Sequence, residues 1–486
     1  MKCPRAALPI LLALAAPVCR SQADFLLHAT PVAPAARDAS IARALDTIES
    51  TRIKETINTL AGFGTRSTLS SMETGLPAGQ GINAAADWIG AQFEQISKEC
   101  GGCLEVHRDS FTEPAGERIP RPTTITNVYA ILRGTDPAQR QRMVLVTGHY
   151  DSRNSNILDA QGPAPGANDD ASGVAVSLEC ARALSKLRFP ASMVFVAVAG
   201  EEQGLNGSRH LAKLARSEGW QLEAVLNNDI VGGNTTPGDV LQLKDRVRVF
   251  SEGVPAAATP EEARRIRALG EENDSPSREL AREVADTARA YFPAGTASFS
   301  ASLVFRPDRY LRGGDHLSFN REGYAAVRFT EWREDFNHQH QNVVRPPAVS
   351  GEPVLGDLPE FVDFAYVANV ARLNAATLAT LASSPGEPMK VEIVTEKLEN
   401  GTTLRWEAPA GGAVGHFEVL WRQTTSPDWQ FVRIVPAAGP FASGGQAQSG
   451  TQAQPITVTV PVSKDNVVFG VRAVDAAGHR GLVVVP

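Results

Sequence analysis

Apolar positions follow two rhythms along the 486-residue chain. From Ser40 to about Leu60, Ile41, Leu45, Ile48, Ile53, Ile57 and Leu60 recur at helical spacing until Gly62 and Gly64 end the run. Trp88, Ile89, Phe93 and Ile96 mark a second amphipathic helix over 84–96. Residues 104–106 and 125–132 read as strands. The runs 143–147 and 193–199 read as apolar strands, and the second, apolar throughout, implies burial on both faces and so a central strand under two layers of helix. Between them a helix over 171–187 carries Val174, Leu178, Ala181 and Leu184 on its inner stripe, and a helix over 210–216 and a strand within 224–233 continue the alternation. The pattern weakens over 234–307, where 242–250 suits a strand and 277–291 a helix. A long apolar-periodic segment over 361–381 closes this part of the chain. It predicts an α/β fold with a mixed, mainly parallel central sheet flanked by helices.

After the linker-like stretch 383–388 the period changes to two. Short strands over 391–394, 403–406, 417–421, 429–435, 456–460 and 467–474, separated by turn residues, predict a C-terminal β-sandwich. The length also calls for more than one core. The expected division is 1–23, 24–384 and 388–486.

Residues 1–23 read as a secretory signal: Lys2 and Arg5, an apolar run over 6–18, then Ser21-Gln22-Ala23. The mature chain then starts near Asp24 and is periplasmic or secreted. A lipoprotein signal ending at Cys19 is the lesser alternative, because Val18 suits such a cleavage poorly. The apolar run is too short to span a bilayer. Export favours a local disulfide between Cys100 and Cys103, and Cys180 sits among apolar helix positions as a buried thiol. Composition is that of an ordinary globular protein, and the net charge of -7 leaves no basic footprint for nucleic acid.

Candidate chemistry collects where the apolar runs end. The run 143–147 delivers His149 and Asp151. Asn168, Asp169 and Asp170 precede the helix at 171, Glu201 and Glu202 follow the run 193–199, and Asp229 follows the strand after 224. Loops at the carboxyl ends of parallel strands meet on one rim, which is where active sites of such sheets lie. Singly, each group has a plain structural reading: a satisfied buried histidine, a helix cap, a solvated acidic pair. Together they offer imidazole and carboxylate in a mix that suits zinc. Two zinc ions carry four positive charges, and Asp169, Glu202 and Asp229 supply three negative ones.

His149-Tyr150-Asp151, Asn168-Asp169-Asp170 with Ser172-Gly173, Gly200-Glu201-Glu202 with Gly207-Ser208, Asn227 with Asp229, and a late histidine together resemble metallopeptidase family 28, the secreted di-zinc aminopeptidases and their relatives. The resemblance covers about residues 40–380. It implies a zinc-dependent exopeptidase fold in which Asp169 bridges two zinc ions, His149 and Asp229 complete one site, and Glu202 and the late histidine complete the other. Asp151 would orient His149, Glu201 would be the general base, and Tyr310 would donate to the oxyanion. The family's spacing of histidine and acid favours His338, four residues before Asn342, over His340 as the fifth ligand; His316 reads as a supporting group. The implied activity is removal of N-terminal residues from peptides or proteins by a metal-activated water. Carboxypeptidase or glutaminyl-cyclase-like activity, or a non-catalytic binding ectodomain, are the alternatives. The tail around Trp406, Trp421 and the segment 469–478 resembles a fibronectin type III domain, which implies contact with a surface, polysaccharide or protein.

Overall fold

The computed structural model describes residues 23–486 apart from 28–29, 294, 296–297, 348–349, 397 and 438–454. The expected leader, Ala23 excepted, lies outside the described residues. A two-residue strand, β1 (Thr30–Pro31), precedes the helices Ala39–Leu45 and Ser50–Ala61. Sequence periodicity treats these two helices as one. The chain turns between them because Thr47 and Ile48 donate three residues back, to Ala44 and Leu45, and Ile48 drops into the core.

Eight strands form the main sheet: β2 (Leu104–Glu113), β3 (Thr123–Leu132), β4 (Arg142–His149), β5 (Ser192–Val198), β6 (Gln221–Asn228), β7 (Arg246–Ser251), β8 (Ser300–Val304) and β9 (Ala326–Thr330). Their order is β2-β3-β5-β4-β6-β9-β7-β8. The central strands β5, β4, β6 and β9 run parallel, while β2, β3 and β7 join antiparallel to their inner neighbours. Every residue of β4 and β5 is buried, as the unbroken apolar run of β5 leads one to expect. Val144 and Val146 belong to a core shared with the helices Ser50–Ala61, Ile82–Glu99, Ala171–Leu184 and Phe364–Ser383. Met143 and Leu145, on the opposite face, pack with Leu211, Ala212 and Phe319 from the helices Asn206–Ser217 and His316–Arg321.

The C-terminal strands are β10 (Met389–Ile393), β11 (Thr402–Glu407), β12 (His416–Gln423), β13 (Phe431–Pro436), β14 (Ile456–Val460) and β15 (Val467–Val474). They make one antiparallel sheet, β10-β11-β14, and a second, β13-β12-β15, to which β1 adds at the β13 edge. Trp406, Phe417, Trp421 and Phe469 fill the space between the two sheets. No described helix is long and apolar enough to cross a membrane.

Candidate metal centre

Asp170 assembles the rim. It caps the helix Ala171–Leu184 through Oδ1, which accepts from the Gly173 N–H at 2.8 Å and the Ile230 N–H at 3.3 Å, while Oδ2 accepts from the His149 N–H at 2.9 Å. One carboxylate thus ties the ends of β4 and β6 to a helix start. This works only because the backbones nearly touch: a Cβ on Gly173 would lie 2.2 Å from the Asn228 carbonyl oxygen, and one on Gly148 would lie 2.4 Å from the Gly173 carbonyl carbon. Asp169 is held from the other side by Asp357, whose carboxylate accepts the Asn168 and Asp169 N–H groups, each at 2.7 Å.

His149 turns Nδ1 toward Asp151, 3.1 Å from its carbonyl and 3.4 Å from its carboxylate. Asp151 in turn accepts from the Thr68 hydroxyl at 2.9 Å and from the Glu202 N–H at 3.1 Å. This leaves His149 Nε2 facing Asp169 Oδ1 at 3.0 Å and Asp229 Oδ1 at 3.9 Å. The other oxygen of Asp169 lies 2.9 Å from His340 Nε2, which is also 3.1 Å from Glu202 Oε1. Two triads result, His149 with Asp169 and Asp229, and Asp169 with Glu202 and His340. Within each, one donor atom per residue lies within 4.8 Å of the others.

The donor set fits zinc. Despite their short separations, His149 Nε2 and Glu202 Oε1 are buried without an aligned hydrogen bond. Buried polar atoms of this kind call for a partner, and each triad offers three donors of the types that zinc takes. The field has the right sign. Burial disfavours charge on His149, yet Asp151 and Asp169 outweigh it and hold its pKa well above the usual imidazole range. Burial likewise opposes His340, and Glu202 with Asp169 pushes it up to about 10. Burial raises the Glu201 carboxyl well above the carboxylate range, and Asp229 and Glu202 add to the rise. Carboxylates that favour positive charge in this way suit a bound cation.

His338, expected in the fifth position, stands outside both triads. Its ring stacks on Phe361 with centroids 3.5 Å apart, and its Nδ1 lies 3.0 Å from the Thr236 hydroxyl. His340 takes the place at the cluster, with φ of 53° at its backbone. The spacing from 338 to 342 misleads because Asn342 serves as a loop brace, accepting from the Ser155 hydroxyl at 2.9 Å. Tyr310, expected to face the reaction centre, is 76% exposed beside Arg306 and does not line the cleft. His316 is fully buried and donates to the Pro307 carbonyl at 2.7 Å.

Three supports had no sequence signal. Arg328 is fully buried in β9 and pairs with Asp229 Oδ1 at 2.7 Å; its other amino group donates to the Gly313 carbonyl at 2.8 Å and Asp308 at 3.3 Å. Arg66, also fully buried, donates to the carbonyls of Leu60, Tyr150 and Gly166 beneath the ligand loops. Gln339 donates to Asp169 Oδ2 at 3.0 Å. Both triads open on a cleft of about 760 Å³, and Glu201, a member of neither triad, lines it. Cys100 and Cys103 are disulfide-bonded, and Cys180 is a buried thiol.

Residues 127–347 match the model of Peptidase family M28. The chain is 40% identical over 443 residues to a probable zinc metalloprotease of Leptosphaeria maculans, covering 91% of this chain and 95% of that one. It is 42% identical over 458 residues to a probable zinc metalloprotease of Pyricularia oryzae, covering 92% and 84%. Among solved structures, LapB from Legionella pneumophila shares the fold with a TM-score of 0.50 at 18% identity, over 73% of this chain and 78% of that one.

Proposed function

Because the chain belongs to peptidase family M28, the zinc metallopeptidases just described, we propose that it is an exported aminopeptidase that carries two zinc ions. The observation that carries this reading is the division of Asp169, one oxygen toward each triad. His149, Asp169 and Asp229 would hold one ion, and Asp169, Glu202 and His340 the other. Zinc bound there lowers the pKa of a water and polarises the scissile carbonyl. The remaining work falls to the chain. Asp151 accepts from His149 Nδ1 and so presents Nε2 as a donor of electrons. Glu201, beside the ligands and open to the cleft, accepts a proton from the attacking water and returns it to the leaving amine. The left-handed backbone at His340 costs roughly 1–2 kcal/mol, a strain of the kind that persists where a side chain must be aimed.

Export is supported by the charged and apolar start of the chain and by the Cys100–Cys103 bridge. N-terminal sequencing of the exported protein is expected to begin near Asp24. The two C-terminal sheets with their tryptophan core support a fibronectin type III-like contact module. The catalytic reading is tested with Glu201→Gln. The variant is expected to keep its zinc and lose about 100- to 10,000-fold in kcat, and retained turnover would remove Glu201 from the base role. Aminoacyl anilides with a free amine are expected to be cleaved; cleavage of their N-blocked forms alone would contradict the aminopeptidase assignment.

A further inference from the structure

Four arginines line the cleft: Arg118, Arg153, Arg309 and Arg312. Two of them are already committed. Arg309 donates to Glu334 at 2.8 Å and to Asp308 at 3.1 Å, and Arg312 donates to the same Glu334 at 3.0 Å. The other two are not. Arg118 gives one bond, to the Glu202 carbonyl at 3.3 Å, and Arg153 one, to the Asn154 carbonyl at 3.1 Å. Neither appears in an ion pair with a carboxylate among the described residues, although both share the cleft with Asp169, Glu201, Glu202 and Asp229.

The charge balance gives these two side chains a use. With two zinc ions bound, four positive charges would meet the three carboxylates of the triads and that of Glu201, so these carboxylates would not need Arg118 or Arg153 as partners. Guanidinium is a planar fork of donors that matches a carboxylate, and such charge-assisted pairs are about twice as strong as neutral ones. The Arg118 bond to the Glu202 carbonyl places its guanidinium against the backbone of a triad residue, close to where a scissile bond must lie.

We propose that Arg118 and Arg153 are specificity-determining residues that bind a substrate carboxylate beyond the scissile bond, so that the preferred substrates are short peptides with a free C-terminus or peptides with an acidic second residue. This rests on the peptidase reading above. Rates are compared for alanyl-leucine, alanyl-leucine amide and alanyl-glutamate amide, each also in N-acetylated form. A hydrogen bond to a charged group contributes about 1.5–3 kcal/mol, so kcat/KM for the carboxylate-bearing peptides is expected to exceed that for the neutral amide by about 10- to 100-fold. Preference for alanyl-leucine alone identifies the C-terminus as the source, and preference for alanyl-glutamate amide the side chain. In Arg118→Gln and Arg153→Gln the ratio of charged to neutral substrate is expected to fall toward one, mainly through KM. A merely structural lesion lowers both rates and leaves the ratio. Calorimetric binding of alanyl-leucine to zinc-loaded Glu201→Gln, weakened by the same ratio when either arginine is also replaced, gives the result without turnover. Equal rates for charged and neutral peptides, or a ratio that survives both substitutions, would overturn the proposal. Cleavage confined to the acetylated set would overturn the aminopeptidase reading while the ratio within that set still decides this one.

Discussion

Arg328 shows how much of the centre depends on a group that never faces substrate. Its guanidinium is fully buried, grips Asp229 on one side and the Asp308–Gly313 loop on the other, and so joins a triad carboxylate to a wall of the cleft. Lysine cannot span both, since its ammonium is a point donor. Arg328→Lys is expected to lower the affinity of the triad of His149, Asp169 and Asp229 for zinc by about 10- to 100-fold, read by competition with a chelator. Zinc held as tightly as in the parent protein would show that Asp229 needs no such support. In the sequence, Arg328 only interrupts an apolar strand, so nothing marks it. His149, Asp169, Glu201, Glu202 and Asp229 were visible because each follows an apolar run or opens a helix, positions where loop ends must converge. The late histidine was harder. His338 and His340 sit in a loop with no period to orient them, and only the three-dimensional path, with Phe361 stacked on one and Asp169 beside the other, separates them.

At the level of elements, the site is set by how closely the helix Ala171–Leu184 seats on β4 and β6. Gly173 is the contact, and the atoms a Cβ would meet are backbone or the Asp170 carboxylate, none of which can swing aside cheaply. Gly173→Ala is expected to destabilise the fold by roughly 1–3 kcal/mol in denaturant titration, the usual cost of overpacking, and to loosen the clamp on His149. An unchanged midpoint would mean that helix and sheet can separate without cost. Elements with strong apolar periods were legible, above all β4, β5 and the helix between them. The helix Pro260–Leu269 was not, because none of its residues is buried and its apolar face is only Ala263, Ile266 and Leu269. Its signature lies in the Thr259–Glu262 capping box and Pro260, signals of a helix start that hydrophobic rhythm ignores.

Taken whole, the molecule is a peptidase body against which the C-terminal sheets are locked. Arg422 of β12 pairs with the buried Asp274, Trp429 donates to Glu279 at 2.8 Å, and Arg282 donates to the Pro427 carbonyl at 2.6 Å. The N-terminal segment, assigned from sequence to the first unit, crosses to the second. β1 extends the sheet at β13, and Trp421 donates to the Phe25 carbonyl at 3.2 Å. Two residues of strand are too few to leave a periodic trace. The junction also buries Glu283. Burial pushes its carboxyl up to about 8, with Asp286 adding to the rise and Arg472 and Arg480 opposing it. Between about pH 4.5 and 8 the folded chain therefore keeps a proton that the unfolded chain has released. Stability falls across that window as pH rises, by up to about 1.4 kcal/mol per pH unit for this group. Glu283→Gln is expected to flatten the pH dependence of the denaturant midpoint between pH 6 and 8; identical slopes for parent and variant would contradict this account of the junction.

The claim on which the rest stands is that one aspartate divides its two oxygens between two ions, with His340 completing the second site. Zinc per chain, measured on the purified protein and on Asp169→Asn, His340→Ala and His338→Ala, tests it most directly. The expected values are two for the parent and for His338→Ala, one for His340→Ala, and fewer than one for Asp169→Asn. A parent protein that binds a single ion, or a His338→Ala variant that loses one while His340→Ala keeps both, would contradict it.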